Sequence, residues 1–312
     1  AEAIALLNQG IEEAQEIGDV NLQHTLLVNV VRLHVTNGAL DAAQQRIEEG
    51  LALVAAPRDP RTEGALQHRL GDVRVLQGHL GKAIEAYQAS IVCADAGAQL
   101  DQKRFRRGVL AHLYITLGNA SESLRLLTEF ERLLKPQEVH HDYQTTRAAL
   151  ELLEGHVEAA MARLEQRVED TGYGYADSIE LTRCLLGMAR LAQGNAVGAL
   201  EITERIGASV SLMAMALSVR LQAHVMFGQD ATKELLTGLH EAESLLLTAQ
   251  VPPLVTLGLC RAIASAFEAA DQPDAALAIR AQARETLHQL AASLENHPHL
   301  HVVFLEKNRD LI

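Results

Sequence analysis

Residues 70–83, LGDVRVLQGHLGKA, decide the fold. Gly71 carries no side chain and lets a second helix approach closely. Gly78, seven positions on, ends the first helix, because glycine takes the left-handed cap conformation without strain. Ala83, five further, is the small contact on the returning helix. The stretch reads as a helical hairpin, and its punctuation recurs. Turn residues stand at Gly38, Gly78, Gly118, Gly155, Gly194, Gly228 and Asp271, at spacings of 40, 40, 37, 39, 34 and 43. Five positions after them come Ala43, Ala83, Ser123, Ala160, Ala199, Lys233 and Ala276; seven before them come Val31, Gly71, Ala111, Ala148, Gly187, Leu221 and Ala264. Most are small. Val31, Leu221 and Lys233 break the pattern, so the first and sixth units carry the weakest signal.

Composition agrees with helices packed through small residues. Apolar residues make up 48% of the 312 and aromatics only 3%, with no Trp, and β-branched runs are scarce. A stack of repeats escapes the usual size limit of a single core, so the chain reads as one elongated body. A net charge of −13 argues against direct nucleic-acid binding and against anionic membranes, which need clustered Lys and Arg. Cys93, Cys184 and Cys260 are odd in number and far apart, which fits neither a disulfide framework nor a zinc site and favours a cytoplasmic setting. No uninterrupted apolar run approaches the roughly 18 residues of a membrane span, and the first residues lack the order of a signal peptide.

Leu70-Gly71/Gly78/Ala83 and Leu186-Gly187/Gly194/Ala199 match the pattern of the tetratricopeptide repeat, and Leu110-Ala111 with Tyr114 and Gly118 nearly does. The chain resembles that family from about residue 1 to about residue 290. The resemblance implies an all-α fold: a right-handed superhelical solenoid of antiparallel helix pairs. Units of about 40 residues exceed the family's roughly 34, and a closing proline appears only near Pro57 and Pro136. Longer helices of this kind look like the sensor regions of maltose-regulator-like bacterial signalling ATPases and transcription regulators. Ala3-Ile4 lines up with Ala83-Ile84, so residues 1–295 are expected to form a solenoid opening on a truncated half-repeat, with 296–312 as a capping tail. The first helix is then expected to leave Ile4, Leu6 and Leu7 uncovered and to offer a surface for self-association.

In the family's geometry the first helix of each pair lines the concave face. One inner row would be Val28, His68, Gly108, Thr145, Cys184, Ser218 and Arg261; the next would be Arg32, Asp72, His112, Ala149, Met188, Gln222 and Ser265. From these rows Arg32, His68, Asp72, His112, Cys184, Met188, Ser218 and Gln222 are candidate partner-binding residues, in a groove suited to an amphipathic peptide. Much of the second set also fits ordinary core. Lys103, Arg104, Arg106 and Arg107, with Phe105 among them, form the one dense basic run. That run reads either as a docking patch for an acidic partner or phosphate, or as a solvated helix face.

No catalytic residue, cofactor or metal site is expected. His140-His141-Asp142 places neighbouring side chains on diverging directions, and His297, His299 and His301 fall at a turn. Thr171-Gly172-Tyr173-Gly174-Tyr175 lacks the Gly-Lys-Ser/Thr ending of a phosphate loop. No nucleophile-elbow sequence or assignable Ser/His/Asp trio is present. The expected function is binding of protein or peptide within a larger bacterial regulator. A stand-alone scaffold is the alternative, and an enzyme or small-ligand receptor is a more distant third.

Overall fold

The computed structural model describes residues 2–53, 59–97, 100–136, 138–169, 176–207, 209–228 and 232–311. Among them are sixteen α-helices and no strand. Helix α1 (Glu2–Glu16) precedes seven hairpins: α2 (Val20–Thr36) with α3 (Leu40–Leu53), α4 (Pro60–Leu76) with α5 (Leu80–Gly97), α6 (Leu100–Leu117) with α7 (Ala120–Glu131), α8 (His141–Leu153) with α9 (Val157–Glu169), α10 (Ala176–Ala192) with α11 (Ala196–Thr203), α12 (Val210–Phe227) with α13 (Thr232–Thr248), and α14 (Pro253–Ala269) with α15 (Pro273–Ala292). Then come α16 (Pro298–Lys307) and a 3-10 turn, Arg309–Leu311. Residues group into two compact units, Ala1–Leu110 and Ala111–Ile312, whose boundary falls inside α6. The expected loop at 171–175 and the proline at 57 lie outside the described residues.

The turns follow from backbone chemistry. At Gly78 φ is +81°; its N–H donates to Val75 O at 3.0 Å and the N–H of His79 to Arg74 O at 2.8 Å. This pair of bonds satisfies carbonyls that a helix end would otherwise leave open. The same pair recurs at Gly18, Gly38, Gly118, Gly155, Gly194 and Asp271, where Asp271 takes φ +57° despite its side chain. Gly18, which no spacing had marked, turns α1 back onto α2. Gly228 is the exception: its φ is +65° but its ψ is −139°, so the sixth turn leaves the helix in an extended direction. Side chains of Asp19, Asp59, Asn119, Asn195 and Ser209 accept from free N–H groups at the starts of their helices.

In the first unit Leu27, Val30, Val31, Ile47, Leu66, Leu70 and Val73 form the core, and Ile4 and Leu7 pack against it. The expectation that Ile4, Leu6 and Leu7 stand uncovered holds only for Leu6, at 63% exposure. Alpha-helix α2 is the cause, since the Gly18 turn folds it onto α1. In the second unit Leu217, Leu221, Leu239, Leu259, Ile263 and Phe267 centre one core cluster. There α12 is long and apolar enough, by composition, to cross a membrane. The sequence pattern hides this because Arg220, Gln222 and His224 interrupt the run. Packing explains it: α12 contacts α10, α11, α13 and α14 and buries Leu212, Ala214, Ala216, Leu217, Val219, Leu221 and Ala223.

Candidate functional site

In the first unit the expected inner-row residues of α4 form a closed polar knot. Gly71 leaves room for Tyr87 of α5: a Cβ there would lie 2.4 Å from Tyr87 Cε1. The Tyr87 hydroxyl donates to Asp72 Oδ1 at 2.8 Å, Arg69 Nη1 donates to Asp72 Oδ2 at 2.9 Å, and His68 Nε2 stands 3.7 Å from Asp72 Oδ1. The His68 ring packs against Tyr87 and Phe105, with centroids 5.5 and 5.0 Å apart. Burial pushes the His68 pKa below the ordinary histidine value; Asp72 opposes that, while Arg69 and Arg106 add to it. A neutral His68 and a doubly engaged Asp72 make a packed brace rather than an open receptor. Arg32, on α2, faces solvent.

The basic run is not a solvated face. Arg104, Arg106 and Arg107 are 3%, 3% and 9% exposed. Arg106 Nη1 donates to Ser90 O at 2.7 Å and fills the space over Gly64, where a Cβ would lie 2.1 Å from it. Arg107 Nη2 donates to Asp95 Oδ2 at 2.8 Å, and Arg104 Nη1 lies 3.6 Å from Asp101 Oδ1. The Arg106 and Arg107 contacts pin the start of α6 to α5, and the Arg104 contact stays within α6. They also offset the cost of cations at a helix N-terminus. Burial holds Arg106 below its usual pKa. Lys103 is half-buried and Phe105 exposed, so both the docking patch and the solvated face give way to a buried clamp.

The second unit separates the remaining candidates. Cys184 is core: it is fully buried beside Ile206, Leu212 and Ala216, and burial, with Glu180 adding, pushes its thiol up to about 12. Ser218 donates to Ala214 O at 2.8 Å and is half-buried. Met188 on α10 and Gln222 on α12 are exposed, as are Met226 and Phe227 near the end of α12. Because α10 packs on α12, these apolar tips stand on neighbouring first helices. His112 sits apart, near the last helix. Burial holds its pKa below the ordinary value and the Lys307 charge lowers it further.

Two features escaped the sequence pattern. One is a cleft of about 250 Å³ between α12 and α13, lined by Leu217, Arg220, Leu221, His224, Lys233 and Glu234 among others. The other is the placement of α16, whose Lys307 reaches α6 and whose following turn meets α14. A capping tail was expected at 296–312, but no spacing marked its reach to α6 and α14. Among the described residues no group of three or more His, Cys, Asp and Glu is placed to hold a metal ion; His297 instead precedes α16, with His299 and His301 inside it.

Solved structures share this architecture. BtubC (BKLC) from P. vanneervenii aligns over 65% of this chain and 88% of its own, at 17% identity and a TM-score of 0.53. A tetratricopeptide repeat protein from Parabacteroides merdae aligns over 84% of this chain and 99% of its own, at 12% identity and a TM-score of 0.56. A Rap protein complexed with competence and sporulation factor aligns over 99% of this chain and 97% of its own, at 12% identity and a TM-score of 0.52. No protein-family model and no curated protein matches the chain. The fold is a tetratricopeptide-like helical repeat.

Proposed function

We propose that this tetratricopeptide-like repeat is a protein- or peptide-binding module, the sensor part of a larger cytoplasmic bacterial regulator. The observation that carries the binding reading is the exposed strip of side chains offered by the neighbouring first helices α10 and α12: Met188 is 46% exposed and Met226 49%, with exposed Gln222 one turn and half-buried Ser218 two turns before Met226 on α12. Methionine is flexible and polarisable, so such a strip moulds itself to an apolar face, while small polar groups fix its register. A structural neighbour solved with competence and sporulation factor bound supports the use of this fold for recognition. The regulatory setting rests on resemblance of the longer repeats. All three cysteines are free thiols and buried, which is in keeping with a reducing compartment.

Peptide-display selection on the immobilised chain tests the reading. Amphipathic peptides should be enriched, and their affinity should fall about tenfold on Met188→Glu or Met226→Glu, equivalent to about 1.4 kcal/mol. Failure to enrich any peptide, or peptides that bind both variants as they bind the parent, would contradict it.

A further inference from the structure

Helix α16 and the turn after it cover the last hairpin, with Leu300, Phe304, Asn308 and Leu311 buried and Arg284 Nε on α15 donating to Leu311 O at 3.3 Å. Their polar side chains reach further. Lys307 Nζ donates to Ile115 O at 3.0 Å and to Thr116 O at 2.6 Å, at the end of α6, the helix with which the second unit begins. The Lys307 and Val303 side chains close over Gly118, where a Cβ would lie 3.1 to 3.4 Å from them. On the other side Arg261 of α14 donates from Nε and Nη2 to the two oxygens of Asp310 at 2.5 and 2.9 Å, and from Nη2 to Asn308 Oδ1 at 3.1 Å.

Three first helices, α8, α10 and α12, lie between α6 and α14 in the chain. A short segment touching both bridges the two ends of the row of first helices. Arg261 and His112 both fall on the rows that the family's geometry would place inside. His112 and Lys307 keep water-accessible surface, yet surrounding protein holds both pKa values down: His112 by burial and then Lys307, and Lys307 to about 8 by burial and then Arg261. Leu300, Phe304 and Leu311 supply the buried apolar contact, and the polar anchors beside them are individually weak. The Arg261–Asp310 pair is 34% and 53% exposed on its side chains, a setting in which ion pairs contribute little. Lysine on the free carbonyls of a helix end is favourable, but only modestly so.

We propose that Pro298–Leu311 is a tethered, displaceable occupant of the second unit's inner face. The partner that displaces it is a polypeptide segment of the same pattern: an apolar residue, a lysine three positions later and a carboxylate three beyond, as in Phe304, Lys307 and Asp310. This deepens the binding reading above and rests on it. A tethered segment competes at an effective concentration in the millimolar range, so a partner has to bind the vacated contacts well below that concentration to displace it.

The probe is a labelled synthetic peptide with the sequence of residues 296–312, added to the full chain. Wild type should bind it weakly. The Lys307→Ala/Asp310→Ala variant, whose own tail is loosened, should bind it about tenfold or more tightly, and adding Arg261→Ala should remove the gain. Equal binding to wild type and the double variant, or binding to neither, would overturn the proposal. A second measurement covers a folding defect: in hydrogen exchange, Arg261→Asp and Asp310→Arg should each unprotect residues 298–311, and together restore protection. Singles and double that exchange alike would overturn it. Selected peptides that need Met188 and Met226 yet leave the tail probe undisturbed would sink this proposal and spare the binding reading.

Discussion

The second hairpin and the sixth meet the same packing demand with opposite residues. In α4–α5 the first helix supplies the glycine and the second the bulk, with Tyr87 lying over Gly71. In α12–α13 the first helix supplies Leu221 and the second the glycine: a Cβ on Gly238 would lie 3.2 Å from Leu221 Cδ2. One arrangement is tight and anchored by a hydroxyl on Asp72. The other borders a cleft of about 250 Å³ and follows the one turn whose glycine has extended ψ. The difference teaches that the repeat conserves a close approach of two helices rather than the identity of the helix that yields. Where the yielding side switches, the fit loosens and open space appears.

Gly71→Leu should break the tight side. A side chain whose Cβ alone would lie 2.4 Å from the Tyr87 ring is an overpacking case, with an expected loss of about 3 kcal/mol, at the upper end of its class. Urea unfolding measures it, and a midpoint equal to that of the parent would disprove the assigned contact. Leu221→Ala should cost less, about 2 kcal/mol and the low end for a buried leucine, because the neighbouring cleft already admits solvent. A loss of 4 kcal/mol or more would mean that this hairpin is packed as tightly as the second.

Acid should sharpen the contrast. His68 and His224 both have pKa values held below the ordinary 6.5 by burial, so the unfolded chain takes up its proton first. The stability each contributes is complete above pH 6.5 and falls as pH drops below it, by up to about 1.4 kcal/mol per pH unit for a group neutral in the fold. His68 is almost fully buried whereas His224 borders the cleft beside Glu234. His68→Gln should therefore flatten the stability profile between pH 7 and 5 more than His224→Gln does; equal flattening would remove the distinction. Smallest of all should be Gly238→Ala. Gains in helix propensity of about 0.5–1 kcal/mol oppose a contact that the flexible tip of Leu221 can relieve, leaving a net change within about 0.5 kcal/mol. A loss above 1 kcal/mol by thermal melting would show that the sixth hairpin has no slack.

Much of the architecture was legible because its signals are local. Turn residues from Gly38 to Asp271 were placed by spacing alone, and each has positive φ; all but Gly228 close a left-handed helix end, which needs no information from elsewhere in the chain. Burial of Arg106 was not legible. It depends on Gly64, one repeat upstream and on a different first helix, and a charged run carries no mark of the space waiting for it. Cys184 and Met188 differ by one turn of α10, yet one is core and the other exposed. Inner rows taken from a family pattern do not resolve how far each helix rotates toward its neighbours. The reach of Lys307 to Ile115 spans 192 positions, beyond anything periodicity can report.

Recognition of a polypeptide by the second unit's inner face is tested most directly by the methionines themselves. The chain has five, and methyl-labelled methionine gives one NMR signal for each. Titration with a display-selected peptide should shift Met188 and Met226, on the first helices α10 and α12, while Met161 on the second helix α9 stays in place. Shifts at Met161 with Met188 and Met226 unmoved would put the partner on the opposite face and contradict the account.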